Sequence, residues 1–569
     1  MQQMSRRQAF EALKTEIFDV AVIGGGITGA GIARDAALRG LRVALFEKFD
    51  FGSGTSSKSS KLIHGGLRYL QHAEFGLVFE SVTERTTLFK RAPHLVRPLR
   101  FLLPTYEGQF PGRFTLGCGM WMYDALSKFS APGRHRNHGR DAVAKLEPRL
   151  RREGLTGGVV FYDGITDDAR LVLETILDAQ AASAQVFSYV HVDGFLKDAN
   201  SDIKGVCVTD SLEPKNTAEV RARVTVNAAG AWSDRMARLS DSGEFKPILR
   251  PTKGVHIVVE AERLPVQHAV VMPVHHDGRI IFAIPWTIPG CPAASRTVIG
   301  TTDTDFFDDP DDVRADSADV AYLLKAVDHY FPGCLALHDV LSVWAGVRPL
   351  VMPDQEGLST SGVSREHQIL GKPGLLRIVG GKLTTYRRMA ADVLTQVYVQ
   401  LGIPEPPCTT DERPFPGAVG LVSETAGDDP LAPLIDELLR KELPFVNEQV
   451  AWHLATTYGV RSRAIVEDVA NKLADGDTQV ADWIDPDFPC LLGEVDHAVT
   501  AELALCLDDV LSRRLPLSTI GRGQGLPAVQ LVASRMAVLL GWSQQRTEAE
   551  IERYHRCVAR ERRTQDGFL

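Results

Sequence analysis

Residues 18–48, FDVAVIGGGITGAGIARDAALRGLRVALFEK, constrain this chain more than any other stretch. Asp19–Ile23 is a short apolar run rich in β-branched residues that passes straight into glycines. Ile27–Arg39 then has small and apolar residues at helical spacing, with Gly40 as C-cap. Arg42–Phe46 is a second strand, ending at Glu47. Strand, glycine turn, helix and strand in about 30 residues make a βαβ unit, and such units build parallel sheets. Gly24, Gly26 and Gly29 form GxGxxG. These glycines allow a tight turn, close backbone approach to a pyrophosphate and close helix–strand packing, and the helix N-terminus adds roughly half a positive charge. Glu47, 23 residues after Gly24, is placed to accept hydrogen bonds from both ribose hydroxyls. The pattern predicts a dinucleotide site from Gly24, Gly26, Ile27, Thr28, Gly29, Glu47 and Lys48.

A chain of 569 residues is far longer than this unit, and length alone suggests about four domain-equivalents. Hydrophobic residues at 44% and charged residues at 24% fit a globular protein and argue against disorder or a pure coiled coil. The net charge of −9 argues against a nucleic-acid partner bound through overall basic charge. Eight cysteines are scattered, the closest pair 16 residues apart, with no CxxC and no metal-ligand spacing. They read as free thiols in a reducing compartment, with no metal site. The N-terminus MQQMSRRQAFEALKTE has no apolar core for a signal peptide, and no stretch of about 18 uncharged apolar residues exists. The expectation is a cytoplasmic protein that does not span a membrane.

Three further stretches favour FAD over NAD. The loop FGSGTSSKSS (51–60) supplies Thr55, Ser56 and Ser59, for which a simple NAD dehydrogenase has no use. Two later strands also return to glycines, at VNAAGAW (226–232) with Ala229 and Gly230, and at IVGGKLTTYRR (378–388) with Gly381 and Thr384. Strands far apart in sequence that all end in glycine suit a long cofactor held along one sheet edge. A helix starting after Gly381 would aim its N–H groups at the flavin N1–C2=O edge, where negative charge develops on reduction.

Residues 248–305 read as antiparallel strands, and 430–569 as mostly helical after a Pro-rich break at 403–408. The expected fold is α/β. It comprises a discontinuous FAD-binding Rossmann-like parallel sheet over 17–410, an inserted antiparallel β-rich substrate domain (mainly 75–150 and 245–345), and an α-helical C-terminal domain over 411–569. Residues 85–140 carry ten Arg or Lys against two acidic residues, interleaved with aromatics. That segment is either an amphipathic face for anionic lipid or a core with solvated arginines.

The phrases TSSKSSKLIHGGLRYL, DDARLV, VNAAGAWSD, IGTTD, AGVRPL and GGKLTTYR follow the glycine unit in order. Together they resemble the FAD-dependent glycerol-3-phosphate dehydrogenase family, respiratory enzymes that pass electrons to quinone. The resemblance is strong over about 18–400 and weaker beyond, around HLATTYG (453–459) and DDVLSRR (508–514). It implies that Arg68, Tyr69, His256, Arg348, Arg365 and Lys382 line the substrate site. Arginine suits a phosphate dianion because its planar fork binds bidentately. The implied reaction takes glycerol 3-phosphate to dihydroxyacetone phosphate, with hydride passing from C2 to flavin N5 and electrons on to membrane quinone.

In that reading His256 is the candidate base, Arg348 and Lys382 polarise the C2 oxygen, and Arg68, Tyr69 and Arg365 hold the substrate. His64, beside Gly66, is read as a flavin contact rather than a base. The resemblance also implies peripheral association with the inner face of the cell membrane, and a homodimer is possible. Three rival readings are a glycerol-3-phosphate oxidase using O2, an amine or amino-acid oxidase, and a flavin-bound interaction protein with vestigial activity. The oxidase is disfavoured by the lack of an extra inserted segment. The amino-acid site would need a carboxylate clamp, and the intact site phrases argue against lost chemistry.

Overall fold

The computed structural model describes residues 6–66, 74–108, 112–127, 132–240, 245–274, 278–352, 366–421, 429–564 and 567–568. The glycine unit folds as its pattern dictates: strand Ile17–Ile23, helix Ile27–Leu38, strand Val43–Phe46. Around it five parallel strands lie in the order Leu375–Val379, Thr217–Asn227, Ile17–Ile23, Val43–Phe46, Gln185–Phe187. Ile23 pairs with Asn227 and with Phe46, so these strands all run out at one edge. An antiparallel ribbon, Val190–Lys197 with Ile203–Asp210, extends the sheet beside Thr217–Asn227.

Helices Ile27–Leu38, Asp168–Ala181 and Tyr386–Leu401 cover one face of this sheet, contributing Ile32, Ile176, Val393 and Leu394 to its largest core. A Cβ on Gly31 would come within 2.8 Å of the Tyr386 ring, so that glycine sets how closely the helices meet. The opposite face is covered by the N-terminal helix through Phe10 and Leu13, and by Met236. Both faces are buried, which is why the strands read as continuous apolar runs.

A second, ten-stranded sheet is mostly antiparallel. Its long strands are Val96–Tyr106, Leu155–Thr166, Leu249–Glu260, Arg279–Ile288, Cys291–Gly300 and Val340–Val351. One parallel contact, Ala269 with Phe101, joins its early and late parts. This sheet extends past the expected insertion bounds on both sides, taking in Leu155–Thr166 and all of Val340–Val351. The first of these pairs along eleven residues with Val96–Tyr106, a partner about 50 residues back that local pattern does not reveal.

In the basic aromatic segment, Phe101 and Tyr123 are core, and buried Arg85 is paired with Asp163. Trp121 and Met122 stand exposed on helix Arg113–Leu126, and Phe75 and Phe79 stand exposed on helix Phe75–Arg91, which packs against it. Phe110 and Phe129 lie outside the described residues.

The C-terminal region is helical apart from two short β-hairpins, Trp483–Asp485 with Phe488–Leu491 and Arg563–Thr564 with Gly567–Phe568. It is bolted to the rest by buried ionic contacts. Arg170 makes two bonds of 2.6 and 2.7 Å to Glu502, and Arg513 and Arg514 both reach Asp50. Glu174 receives Arg461 and Gly417 N–H; burial pushes its carboxyl up, but Arg461, His94 and Arg170 overcome this and hold it at about 2. Within this region buried His453, Cys490 and Glu494 stand together. Glu494 also takes bonds from Tyr458 Oη and Leu491 N–H, so its two oxygens are hydrogen-bonded within the protein. The seven described cysteine side chains are all free thiols.

Candidate active site

One cavity runs along the edge where the parallel strands end. In sheet order that edge presents Gly380–Thr384, then Ala228–Gly230, then Gly24–Thr28, then Glu47–Phe49. Four strands at about 4.8 Å spacing put roughly 14 Å between the first group and the last. Gly24 has φ +105°, and a Cβ there would stand 2.7 Å from Ala228 O. A Cβ on Gly29 would stand 1.9 Å from Gly24 O, so this glycine packs helix on turn and does not line the cavity. Gly26, the helix N-cap, meets only Ser56 Oγ, at 3.1 Å, and leaves an open cradle at the helix N-terminus.

Glu47 holds its carboxylate by accepting Gly25 N–H at 2.7 Å and Phe49 N–H at 3.0 Å. Burial pushes its pKa up, while the two N–H groups oppose that shift. Ser56 Oγ accepts Ile27 N–H at 2.9 Å, satisfying the first orphan donor of the nucleotide helix. The other hydroxyls of the loop serve the protein. Thr55 donates to Val347 O at 2.6 Å, and Ser59 to Asp168 at 2.7 Å. Lys48 reaches Asp311 at 2.5 Å and lies over Trp232, 4.4 Å from the ring centre. Thr384 bonds the backbone of His64 at 3.3 and 3.4 Å, tying the two loops together. Gly66, with φ +73°, is buried beside the cavity rather than on it.

The opposite wall comes from the second sheet. His256 and Arg348 lie on adjacent antiparallel strands, four register positions apart and thus on one face (Thr252 with Arg348, Gly254 with Gly346, His256 with Trp344). A Cβ on Gly254 would stand 2.4 Å from Arg348 Nη2, so this glycine opens the space its guanidinium fills. Arg348 donates to Thr302 O and Asp303 at 3.2 Å and to Thr301 Oγ1 at 3.0 Å.

His256 is buried, stacked on Trp344 at 5.1 Å, and hydrogen-bonded through Nε2 to Ser60 Oγ at 2.8 Å. Burial, with Arg348 and Lys61 nearby, holds its pKa well below the usual imidazole value, so the ring is neutral. Lys382 lines the cavity and reaches Ser81 Oγ at 3.4 Å. Arg68, Tyr69 and Arg365 lie outside the described residues. Just before them, Gly65 N–H is held by Tyr123 Oη at 3.1 Å, and Tyr123 in turn donates to Asp163 at 2.8 Å.

The structure thus brings His256, Arg348 and Lys382 to the same cavity as the glycine unit. Sequence reasoning missed Lys58, Ser60, Trp232, Arg235 and Gly254, which also line it. Trp232 sits inside VNAAGAWSD, and Lys58 and Ser60 inside TSSKSSKLIHGGLRYL, and they carried no signal beyond that nearness.

Comparison with known proteins agrees with this geometry. Residues 19–387 match the family model described as FAD dependent oxidoreductase. Residues 408–547 match the C-terminal domain of alpha-glycerophosphate oxidase. The chain belongs to the FAD-dependent oxidoreductases and, within them, to the glycerol-3-phosphate dehydrogenase and oxidase family. It is 35% identical over 554 residues to the aerobic glycerol-3-phosphate dehydrogenase of Staphylococcus saprophyticus, covering 96% of this chain and 95% of that one. The Staphylococcus aureus enzyme of the same name is 34% identical over the same length and shares. The glycerol-3-phosphate dehydrogenase of Bacillus halodurans, solved with FAD, is 30% identical with a TM-score of 0.78, covering 98% of this chain and 97% of that one. L-alpha-glycerophosphate oxidase of Mycoplasma pneumoniae shares the fold at 18% identity and TM-score 0.53, over 69% of this chain and 98% of that one. FAD is the cofactor, and the Gly24–Gly26 cradle, the helix N-terminus and Glu47 fit a dinucleotide along this edge.

Proposed function

We propose that this enzyme oxidises glycerol 3-phosphate to dihydroxyacetone phosphate and delivers the electrons to a membrane quinone. One observation carries the reading: Arg348, His256 and Lys382 converge on the FAD cavity from two different sheets. Held by the Gly24–Gly26 cradle and Glu47, FAD would supply a two-electron acceptor for hydride from C2. Arg348 polarises the C2 oxygen, and its bonds to Thr301, Thr302 and Asp303 fix the guanidinium plane. Lys382 adds positive charge where the ketone oxygen forms.

His256, neutral, keeps a lone pair for the C2 hydroxyl proton, with Ser60 as its hydrogen-bond partner. Arg68, Tyr69 and Arg365 complete the phosphate-binding set in this reading.

No described helix is long and apolar enough to cross a membrane. Contact with anionic lipid at the inner face of the cell membrane is proposed for the face bearing Phe75, Phe79, Trp121 and Met122. The relatives named aerobic glycerol-3-phosphate dehydrogenase support the dehydrogenase reading over the oxidase.

The test is anaerobic. Glycerol 3-phosphate should bleach the flavin absorbance near about 450 nm. Fast reoxidation by a soluble quinone and slow reoxidation by O2 are the expected result. Fast reoxidation by O2 would make the protein an oxidase. No bleaching with flavin bound would overturn the substrate assignment.

A further inference from the structure

Helix Gln544–Arg562 ends beside Lys58, which lines the cavity. Its body is anchored elsewhere, with Tyr554 and Val558 in the C-terminal core and Tyr554 Oη donating to Gln524 O at 2.8 Å. Its last turn carries two adjacent charges that reach in different directions. Glu561 accepts Lys58 Nζ at 2.7 Å, and Lys58 belongs to the hydroxyl-rich loop that lines the cavity. Arg560 donates from Nη2 to Asp311 O at 2.6 Å and to Asp312 Oδ1 at 2.7 Å.

The Asp309–Asp312 segment comes from the connection that leaves the second sheet, and it is the hub of this corner. Asp311 takes Lys48 at 2.5 Å, Trp232 Nε1 at 3.1 Å and Arg235 at 3.3 Å, while Asp309 takes Arg235 at 2.7 Å. Lys48, Trp232 and Arg235 all line the cavity beside Glu47 and Gly230. Lys48 and Lys58 stand ten residues apart on one chain segment, and Asp309–Asp312 with the end of helix Gln544–Arg562, neither of which lines the cavity, add a second and largely ionic link between the two stretches of wall.

We propose that Arg560 and Glu561 form a latch on the cofactor cavity. They are positioning residues that hold the Lys58 loop and the Asp311 hub across the mouth and so slow the release of FAD. This gives the C-terminal region a role in cofactor retention that is independent of the substrate assignment. The contacts are half-exposed ion pairs, so each is modest and all weaken with salt.

The test follows release of FAD from the purified full-length holoenzyme, read as the rise of free-flavin fluorescence after dilution. Arg560→Gln with Glu561→Gln should release FAD about tenfold faster at low ionic strength, the scale expected when several exposed ion pairs are lost together. Sodium chloride at about 0.5 M should accelerate wild-type release toward the variant's rate and leave the variant nearly unchanged. Exchanging charges, Lys58→Glu with Glu561→Lys, should restore part of the slow release that Glu561→Gln loses. Arg556→Gln, which breaks an exposed ion pair to Glu552 on the same helix, should leave release unchanged. Wild-type release that ignores salt, or a double variant that keeps wild-type release and salt response, would overturn the latch. So would an equal acceleration by Arg556→Gln.

Discussion

Along the parallel-sheet wall of the cavity, what faces the ligand is largely backbone: a cradle at Gly24–Gly26, turns at Gly230 and Gly380–Gly381, and a helix N-terminus. Along the other wall it is side chains, Arg348 and His256, standing on long strands whose own backbone is spent in a ladder. The first wall therefore tolerates little change of shape and depends weakly on charge. The second can change shape and lose chemistry while keeping its fold. Apart from Lys382, a side chain that rises from the first wall, binding and catalysis are thus separable by mutation, one wall at a time.

The strongest test of that separation is on the backbone side. Gly29→Ala drives a Cβ to 1.9 Å from Gly24 O, and neither backbone can yield cheaply. Purified variant should carry less than about a tenth of the wild-type flavin per chain, measured by absorbance ratio. Normal flavin content would show that this wall is softer than its geometry.

On the side-chain side, Arg348→Ala should keep full FAD and lose at least about 2 kcal/mol in kcat/KM, roughly thirtyfold. Near-normal kcat/KM would remove Arg348 from the site, and loss of flavin would merge the two walls into one.

The smallest effect concerns stability and pH. His256 has its pKa lowered on folding, so below about pH 6.5 the unfolded chain binds the extra proton and stability falls as pH falls. His256→Gln deletes that penalty. Between pH 7 and 5 the variant should lose less in Tm than wild type, by the equivalent of about 2 kcal/mol. Identical losses would mean His256 is not held neutral, and the argument for its available lone pair would fail.

The same contrast explains what could be read from the sequence. The glycine unit, Glu47 and the glycines after Asn227 and Val379 announce themselves because tight turns and helix starts are written in neighbouring residues. Side-chain partners are set by distant pairing. Thr55, expected on the cofactor, spends its proton on Val347 O, 292 residues away, and Ser59 turns to Asp168. Thr384 ties down the His64 backbone. The hydroxyl-rich loop was legible as cavity lining, while its hydrogen-bond destinations were not. The cations Arg348 and Lys382 could be placed in the cavity from the resemblance. The burial of His256, and the glycine that makes room for Arg348, emerge only from register between two strands about 90 residues apart.

The order of strands along the parallel edge carries a consequence for how this protein is made. Strand Ile17–Ile23 lies between partners at Val43–Phe46 and Thr217–Asn227, and the latter waits for Leu375–Val379. No stretch shorter than 17–379 contains all four of those strands, and Arg513 and Arg514 still have to arrive at Asp50. A chain emerging from the ribosome at about 5–20 residues per second exposes its glycine motif many seconds before the rest of that edge exists. Flavin loading therefore waits for the chain up to Thr384, the last residue that lines the cavity, and no fragment cut before it inherits the site.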